Sequence, residues 1–341
     1  MLVLTALLMP DLDCYVSQWH YIKHIAPVWK NLSSTGRFVV KKKELVGHAA
    51  SLGIVAEVGS PKSESRRPVL VAGGADLQSV GDRPVALMEH GAGQTYIDSD
   101  NISYAGGLGR ERVELFLCPS KAVANANLTS WPAARADIVG VPYLDEWIDR
   151  RFELKEQRKQ SAPMVVISFH WPARVSIESG TAWPDWCHQL SDLKQSCDRR
   201  GWQLRGHGHP KVIDNLRRAY KEANIRVVES WQEVMAQASL YIVDNSSTLY
   251  EFAAAGAGKT IALRSSKWRR DVQHGLRFWN DVPCPDLEPD DKIERWLDIT
   301  MADPSHHQEK RAAALKVAYG DTLDGLSTQR AVASINNWLK S

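Results

Sequence analysis

The sequence predicts an α/β protein made of two doubly wound domains. Three observations support this fold class. The chain has 341 residues, which fits two domains of about 150 residues each. Short apolar runs alternate with longer amphipathic segments, a pattern typical of parallel sheets covered by helices. A highly charged segment in the middle of the chain separates two series of such runs.

Apolar runs in the first half of the chain predict the strands of the first sheet. The run at 2–8 lacks a basic region before it and stops at Pro10-Asp11, so it resembles a buried strand more than a signal peptide. The predicted strands are at 2–8, 53–58, 68–71, 85–88 and 115–118.

A change of composition between residues 145 and 162 predicts the domain boundary. Charged side chains dominate this segment, and it ends in Ser-Ala-Pro before a new apolar run begins. We therefore assign residues 1–150 to an N-terminal Rossmann-like domain and residues 151–341 to a C-terminal one that includes the final helices.

The second half repeats the same alternation. Two such sheets are expected to turn the carboxyl ends of their strands toward a central cleft, where open α/β sheets bind ligands. The predicted strands are at 164–169, 203–205, 226–228, 240–243 and 260–263. The predicted helices are at 184–200, 211–223, 231–238 and 247–255, with one or two more in 306–341.

Composition excludes several classes of function. Lys and Arg number 42 against 40 for Asp and Glu, so no global charge drives the protein toward nucleic acid. No apolar run approaches the length of a transmembrane helix, so we expect a cytoplasmic protein whose only membrane contact would be peripheral. The five cysteines contain no C-x-x-C pair, which argues against a zinc knuckle and a disulfide framework and suits a reducing cytosol.

A polar turn in the second series is the first candidate for a ligand site. Residues 240–256 run from strand through the turn Asp244-Asn245-Ser246-Ser247-Thr248 into a helix. If Asn245, Ser246 or Ser247 caps the helix, free backbone N–H groups and the helix dipole offer an anion site that suits a diphosphate. Ordinary N-capping is the alternative. Glu251, in the first turns of the helix, either binds a ribose or faces solvent.

The segment Gly256-Ala-Gly-Lys-Thr260 is similar to a P-loop, but two features oppose that interpretation. The first glycine of the motif would fall at Ala253, and the helix precedes the lysine instead of following it. The two glycines are better explained as the end of the helix.

His90 is the candidate general base. It follows an apolar strand and precedes Gly91 and Gly93, which let a ligand approach the backbone closely. An imidazole with a pKa near neutrality suits proton abstraction from an attacking hydroxyl. A turn histidine bonded to its own backbone is the alternative.

Three further basic residues follow strands of the second domain. His207 and His209 alternate, so we expect one to face the cleft and the other to pack away. Arg174 suits phosphate oxygens, although a surface ion pair is the alternative.

A metal site is not expected. Neither Cys nor a carboxylate lies beside the two histidines, which makes neutralisation of a phosphate the favoured role. The two D-x-D motifs, Asp11-x-Asp13 and Asp98-x-Asp100, are interpreted as turn aspartates.

The order of these motifs resembles the CDP-glycerol glycerophosphotransferase family, the teichoic acid primases and polymerases, which have the GT-B fold. The resemblance covers roughly residues 85–335, and the joint order is far more specific than any single motif. The matching motifs are His90-Gly91 after a strand, Phe116-Leu-Cys-Pro-Ser120, Gly140-Val-Pro-Tyr-Leu-Asp145, Trp171-Pro-Ala-Arg174, His209-Pro210, Asp244-Asn-Ser-Ser247 and Tyr319-Gly-Asp-Thr-Leu-Asp-Gly-Leu-Ser-Thr-Gln-Arg330.

The resemblance implies an inverting, metal-independent transferase with an N-terminal acceptor domain and a C-terminal nucleotide-donor domain. His90 would be the catalytic base, while His209 and Arg174 would stabilise the donor phosphates. Ser246 and Ser247 would hold the diphosphate. The closing C-terminal segment would include Asp324, Gly325 and Arg330.

Three departures from the family pattern lie near the expected donor site. Tyr143 replaces an arginine, Ala173 replaces a threonine, and His207 stands where an arginine precedes His-Pro. The transferred group is therefore open between a glycosyl group and glycerol phosphate, on a donor of the CDP or UDP type and with no other cofactor. The acceptor hydroxyl is open among a polyol phosphate, a glycan, a protein and a modified nucleic acid.

Two other functions fit the same architecture. The non-hydrolysing UDP-sugar epimerases share it but need additional acidic catalytic residues, which the sequence does not place. A nucleotide-binding relative that has lost its catalytic activity is the third alternative.

Overall fold

The computed structural model describes residues 11–60, 66–89, 109–172, 180–267 and 282–341. These residues form two compact units. The first contains the described residues up to Asp145 together with Thr322–Ser341, and the second contains Glu146–Asp321. The predicted strand at 2–8 and the candidate site residues His90, Gly91, Gly93 and Arg174 lie outside the described residues.

The first unit contains a parallel sheet with the strand order β3-β2-β1-β4-β5-β6-β7. The order changes direction between β1 and β4, which makes their carboxyl ends the topological switch point of this sheet. The strands are β1 (Leu12–Val16), β2 (Thr35–Val40), β3 (Glu57–Val58), β4 (Val69–Val71), β5 (Val85–Met88), β6 (Val113–Cys118) and β7 (Arg135–Ile138).

Three of these strands, β1, β2 and β7, are not among the predicted ones. Charged residues interrupt the apolar pattern of each, namely Asp13 in β1, Arg37 in β2, and Arg135 and Asp137 in β7. The interpretation of the first D-x-D motif as turn aspartates is wrong for Asp13, which lies within β1 and not in a turn. Its buried carboxylate pairs with Arg83 at 2.6 Å.

Both faces of this first sheet are covered, because β1, β4 and β5 are buried at every residue, as a doubly wound topology requires. The helix α4 begins after Ser120, whose hydroxyl accepts a hydrogen bond from the Val123 N–H. The helices of this part of the chain are α1 (Trp19–Trp29), α2 (Glu44–Ser51), α3 (Gly74–Leu77), α4 (Lys121–Ser130) and, at the boundary between the units, α5 (Asp145–Asp149).

The second unit contains a parallel sheet with the order β10-β9-β8-β11-β12-β13, whose switch point lies between β8 and β11. The predicted strands at 164–169 and 260–263 agree with β8 and β12 from end to end. The strands are β8 (Met164–Phe169), β9 (Gln203–Gly208), β10 (Arg226–Val227), β11 (Ala238–Val243), β12 (Thr260–Leu263) and β13 (Asp286–Leu287).

The second unit contains the helices predicted at 211–223, 231–238 and 247–255, and two helices that were not predicted, at Arg151–Lys159 and Leu297–Ala302. The helix predicted at 184–200 is divided into α7 and α8 by a short 3-10 turn at Cys187–Gln189. The helices are α6 (Arg151–Lys159), α7 (Trp183–Trp186), α8 (Leu190–Arg199), α9 (Ile213–Glu222), α10 (Trp231–Gln237), α11 (Thr248–Ala255), α12 (Leu297–Ala302) and α13 (Ser305–Tyr319). None of the helices that the structure describes is long and apolar enough to cross a membrane.

The last helix, α14 (Ser327–Trp338), returns to the first unit, whereas the sequence assigned all of 151–341 to the second. It buries Ala331 and Ile335 in the core of the first unit. The Asp145 carboxylate accepts hydrogen bonds from the Ser327 and Thr328 N–H groups at 3.1 and 2.6 Å. Burial of its apolar face and capping by a residue distant in sequence therefore decide where this helix packs.

Candidate functional site

The predicted donor residues of the second unit meet at the carboxyl edge of its sheet. His207 and His209 lie at the end of β9, and the turn 244–248 follows β11. Between these two strands lies β8, so the residues surround the switch point where open α/β sheets bind ligands.

Asp244 connects two parts of the loop that follows β8. One carboxylate oxygen accepts from the His170 N–H at 2.7 Å. The other accepts from the Thr181 hydroxyl and the Ala182 N–H, both at 2.9 Å. Burial raises the pKa of Asp244 to about 7, although these hydrogen bonds oppose the shift. Because both oxygens are used internally, the observed role of Asp244 is to position the loop.

Asn245 has a similar role. Its side-chain amide is buried and donates to the Gly180 carbonyl at 2.9 Å. Asp244 and Asn245 together hold the backbone on both sides of the segment 173–179, which includes the site of Arg174.

The turn at the start of α11 is half-buried and rich in hydroxyl groups. Ser247 occupies the N-cap position, but its side chain makes no capping hydrogen bond. The Ser246 hydroxyl oxygen accepts from the Thr248 N–H at 3.3 Å and from the Thr248 hydroxyl at 2.8 Å. The contact with the first N–H of the helix thus comes from one residue earlier than an ordinary N-cap.

Glu251 is 2% exposed, so the solvent-facing alternative for this residue is wrong. Burial raises the pKa of the Tyr319 phenol well above its ordinary value, and the charge of Glu251 adds to the effect. The carboxyl group therefore lies in the interior of the second unit, between α11 and the end of α13. Its contact with a ribose stays a prediction.

His207 is held by side chains on one neighbouring strand and two helices. Its Nδ1 lies 2.9 Å from the Ser168 hydroxyl, and the two residues are register partners in adjacent strands. The Trp231 ring packs at a centroid distance of 5.9 Å. The Tyr220 hydroxyl donates to the His207 carbonyl at 2.8 Å. These contacts fix both the backbone and the ring.

His209 lies just beyond the strand and is half-buried. Its N–H donates to the Phe169 carbonyl at 2.9 Å, and its Nδ1 accepts from the Lys211 N–H at 3.2 Å. Its ring packs edge-on against His170 at 5.1 Å. Since Nδ1 accepts a hydrogen bond, the neutral ring carries its proton on Nε2.

Three residues around His209 were not among the predicted site residues. Lys211 Nζ lies 4.0 Å from the centre of the Trp171 ring, which is a cation–π contact. Burial lowers the pKa of His170 to about 4, so this ring is neutral at physiological pH. The available signal was sequence proximity, because His170 and Trp171 follow β8 directly and Lys211 follows His209-Pro210.

Comparison with known proteins gives the fold. No protein-family model matches the chain, and no curated protein matches it in sequence. Solved structures do match. They include a UDP-GlcNAc 2-epimerase from Neisseria meningitidis bound to UDP-GlcNAc (13% identity, 97% of this chain and 100% of that chain, TM-score 0.62).

A second similar structure is S. aureus MnaA in a co-structure with UDP (14% identity, 97% of each chain, TM-score 0.63). A third is a glycosyltransferase from Rickettsia africae (12% identity, 98% of this chain and 99% of that chain, TM-score 0.54). The chain has the GT-B fold. At these identities the likeness shows the fold alone.

Arg330 belongs to the first unit, whereas the predicted donor residues 207–209 and 244–251 belong to the second. Its guanidinium pairs with the Asp324 carboxylate at 2.8 and 2.9 Å. It also donates to the Val139 and Thr322 carbonyls at 3.0 and 3.2 Å. These bonds fasten the C-terminal segment before α14.

The switch point of the first unit contains a buried carboxyl group that the sequence did not indicate. Asp76 lies in α3 after β4, and one of its oxygens accepts from the Ser17 N–H, just after β1, at 3.3 Å. Burial raises the pKa of Asp76 to about 6, while bonds from Ser17 and the charge of Lys41 oppose the shift. The other oxygen, Oδ1, has no hydrogen-bond partner in the part of the chain that the structure describes.

No group of three or more His, Cys, Asp and Glu side chains that suits a metal ion is found among the described residues. His207 and His209 in particular are bound to Ser168 and to the Lys211 backbone.

Proposed function

We propose that this GT-B chain is a transferase that moves a glycosyl or glycerol-phosphate group from a nucleotide-diphosphate donor to an acceptor hydroxyl. The observation that carries the proposal is the arrangement at the switch point of the second unit. The half-buried hydroxyl turn at the start of α11 and the two histidines at the end of β9 lie on either side of β8. A helix start with hydroxyl groups beside imidazoles suits a diphosphate.

In the proposed reaction this site must stabilise the nucleotide as it leaves. When a glycosyl group is transferred, the nucleoside diphosphate leaves and negative charge accumulates on its β-phosphate. When glycerol phosphate is transferred, the nucleoside monophosphate leaves and the charge accumulates on its α-phosphate. The positive end of the α11 dipole, the hydroxyls of Ser246 and Ser247, and the imidazoles of His207 and His209 supply donors and positive potential for it. In this proposal Asp244 and Asn245 position the surrounding loop and do not touch the donor.

The remaining parts of the proposal rest on the family resemblance. His90 is the general base and Arg174 a further phosphate ligand, and both lie outside the described residues. The proposed donor is of the UDP or CDP type, and two of the similar structures hold UDP or UDP-GlcNAc. The proposal includes a cytoplasmic location and a metal-independent, inverting reaction.

An epimerase-like isomerase is a second candidate function. It requires acidic groups that exchange protons with the sugar, and the buried Asp76, with a pKa of about 6, supports it. Its place at the switch point of the first sheet is where a doubly wound domain binds ligands.

A nucleotide-binding experiment tests whether the protein is an enzyme that uses a nucleotide-diphosphate donor. UDP, CDP and GDP are each added to the protein, and the melting temperature is followed. A ligand at 100 times its dissociation constant stabilises the folded state by about 2.7 kcal/mol, which raises the melting temperature measurably. If none of the three nucleotides raises it, the proposed function is refuted.

Product analysis then separates the two reactions. UDP-GlcNAc is incubated with the protein without an acceptor, and the sugar is examined for inversion at one carbon. Isomerisation without an acceptor favours the epimerase, whereas acceptor-dependent release of UDP favours the transferase. The Asp76→Asn variant should lose the isomerisation, because the side-chain amide of asparagine cannot act as a general acid or base near neutral pH.

A further inference from the structure

The Lys211 side chain is exposed at the carboxyl edge of the second sheet. Its backbone N–H donates to His209 Nδ1 at 3.2 Å, and its Nζ lies 4.0 Å from the centre of the Trp171 ring. Among the described residues, no carboxylate forms an ion pair with this ammonium group. A cation that is held by an aromatic ring, and that no acidic side chain neutralises, is available to an anionic ligand.

Two hydrogen bonds join the strand ends around this ammonium group. The His209 N–H donates to the Phe169 carbonyl at 2.9 Å, which connects the ends of β9 and β8. The His170 N–H donates to the Asp244 carboxylate at 2.7 Å, which connects the ends of β8 and β11. Trp171 follows His170 directly. The ammonium group therefore contacts the chain where it leaves β8, with the histidines of β9 on one side and the hydroxyl turn after β11 on the other.

Charge is the second reason to connect Lys211 with the donor. A diphosphate carries several negative charges, whereas the dipole of α11 is equivalent to about half an elementary charge at the start of the helix. Burial lowers the pKa of His170 to about 4, and the charge of Lys211 adds to the shift, so this ring is neutral at physiological pH and does not repel the ammonium group. A lysine supplies a full positive charge and N–H donors for phosphate oxygens.

From these contacts we infer that Lys211 binds a phosphate oxygen of the nucleotide donor, and that Trp171 is the positioning residue that holds the ammonium group in place. The inference rests on the proposed function and extends it to two residues outside the predicted set. The half-buried Trp171 ring occupies one side of the ammonium group, which leaves N–H donors for the ligand. Because the side chain is already held, less conformational entropy is lost when the nucleotide binds.

Titration calorimetry with UDP and with CDP tests the inference. The variants are Lys211→Met, Lys211→Arg, Trp171→Leu and the double variant with Met at 211 and Leu at 171. Lys221→Met is the matched control for charge, since Lys221 is exposed near the C-terminal end of α9, whereas Lys211 precedes the start of this helix. Trp202→Leu is the matched control for the ring. Trp202 is also half-buried and lies 5.7 Å from the Arg200 guanidinium, but it precedes β9 and so lies at the opposite edge of the sheet.

We expect Lys211→Met to weaken nucleotide binding about 10-fold or more, as for the loss of a hydrogen bond between charged groups. Lys211→Arg should retain most of the affinity, because a guanidinium also binds phosphate and stacks on aromatic rings. Trp171→Leu should weaken binding about 2- to 5-fold. The double variant should bind no more weakly than Lys211→Met, because Trp171 acts through Lys211. Both controls should bind like the wild type.

The salt dependence of binding separates a contact with phosphate from a structural role. The Debye length falls from about 30 Å at an ionic strength of about 0.01 M to about 3 Å at about 1 M. The difference in affinity between the wild type and Lys211→Met should therefore narrow as salt is raised. A loss of local structure would instead leave a difference that salt does not change. Thermal melting of each variant checks that it is folded.

Two results overturn the inference while the proposed function stands. One is a Lys211→Met variant that binds the nucleotide as tightly as Lys221→Met. The other is a difference in affinity that is the same at low and high salt. Losses that add in full in the double variant refute the positioning role of Trp171. A wild type that binds neither UDP nor CDP refutes the proposed function itself, and the inference with it.

Discussion

The Asp244 carboxyl makes the unfolding free energy of the second unit depend on pH. Burial raises its pKa from the ordinary 3.8 to about 7. Between these two values the folded state holds a proton that the unfolded state has released, so the slope of stability against pH is negative. Stability should therefore fall as pH rises from about 4 to about 7. At about 1.4 kcal/mol per pH unit, the full difference is on the order of 4 kcal/mol.

The Asp244→Asn variant isolates this contribution, since an amide does not titrate. Its carbonyl oxygen can still accept from the His170 N–H, but its NH2 group faces the Ala182 N–H, which is left without an acceptor. This loss costs about 1–3 kcal/mol at every pH. The variant should thus be less stable than the wild type at pH 4, and the gap should close or reverse by pH 8.

Urea unfolding, monitored by tryptophan fluorescence at half-unit steps from pH 4 to pH 8, measures the free energy of unfolding of the wild type and of the Asp244→Asn variant. All other titrating groups are common to the two proteins, so their contributions cancel in the difference. A difference that stays constant over this range, or one that moves in favour of the wild type as pH rises, would refute the assignment of a raised pKa to Asp244.

Three further predictions follow from packing and burial. Gly206→Ala places a methyl group 2.6 Å from a ring carbon of the fully buried Tyr220, and should destabilise the second unit by about 1–3 kcal/mol in urea unfolding. Gly140→Ala combines a left-handed backbone, with φ of +86°, and a clash with Thr322 and Ser327, so it should cost about 2–4 kcal/mol and release α14, as measured by hydrogen exchange. In nuclear magnetic resonance titrations, His170 should protonate with a midpoint near pH 4, well below the ordinary 6.5, because its ring is buried.

Other glycines of the chain serve as matched controls for the two substitutions. Gly47→Ala adds a methyl group with nothing within 4 Å, so it should not destabilise α2. Gly201→Ala has a left-handed backbone but open space, which separates the conformational cost from the clash at Gly140. If Gly206→Ala is as stable as Gly47→Ala, the close packing of Tyr220 on β9 is refuted.

The sequence by itself determined the fold class and the placement of the candidate donor residues. Uninterrupted apolar runs such as 164–169 and 260–263 specify buried parallel strands, because a strand covered on both faces needs apolar side chains throughout. The polar turn after β11 and His209 after β9 were placed correctly at strand ends for the same reason, whereas β9 extends beyond the predicted 203–205 and includes His207. In the first unit the apolar pattern failed to predict β1, because this strand contains Asp13, whose buried carboxylate pairs with Arg83.

Only the tertiary structure decided what the individual side chains do. The groups that donate hydrogen bonds to the Asp244 carboxylate lie 62 to 74 residues away from it in sequence. The N–H groups at the start of α14 that bind the Asp145 carboxylate lie more than 180 residues away from it. Local periodicity reports which face of an element is apolar, but it contains no information on such partners. The burial of Glu251 and the return of α14 to the first unit both depend on contacts that exist only after the strands of each sheet have assembled.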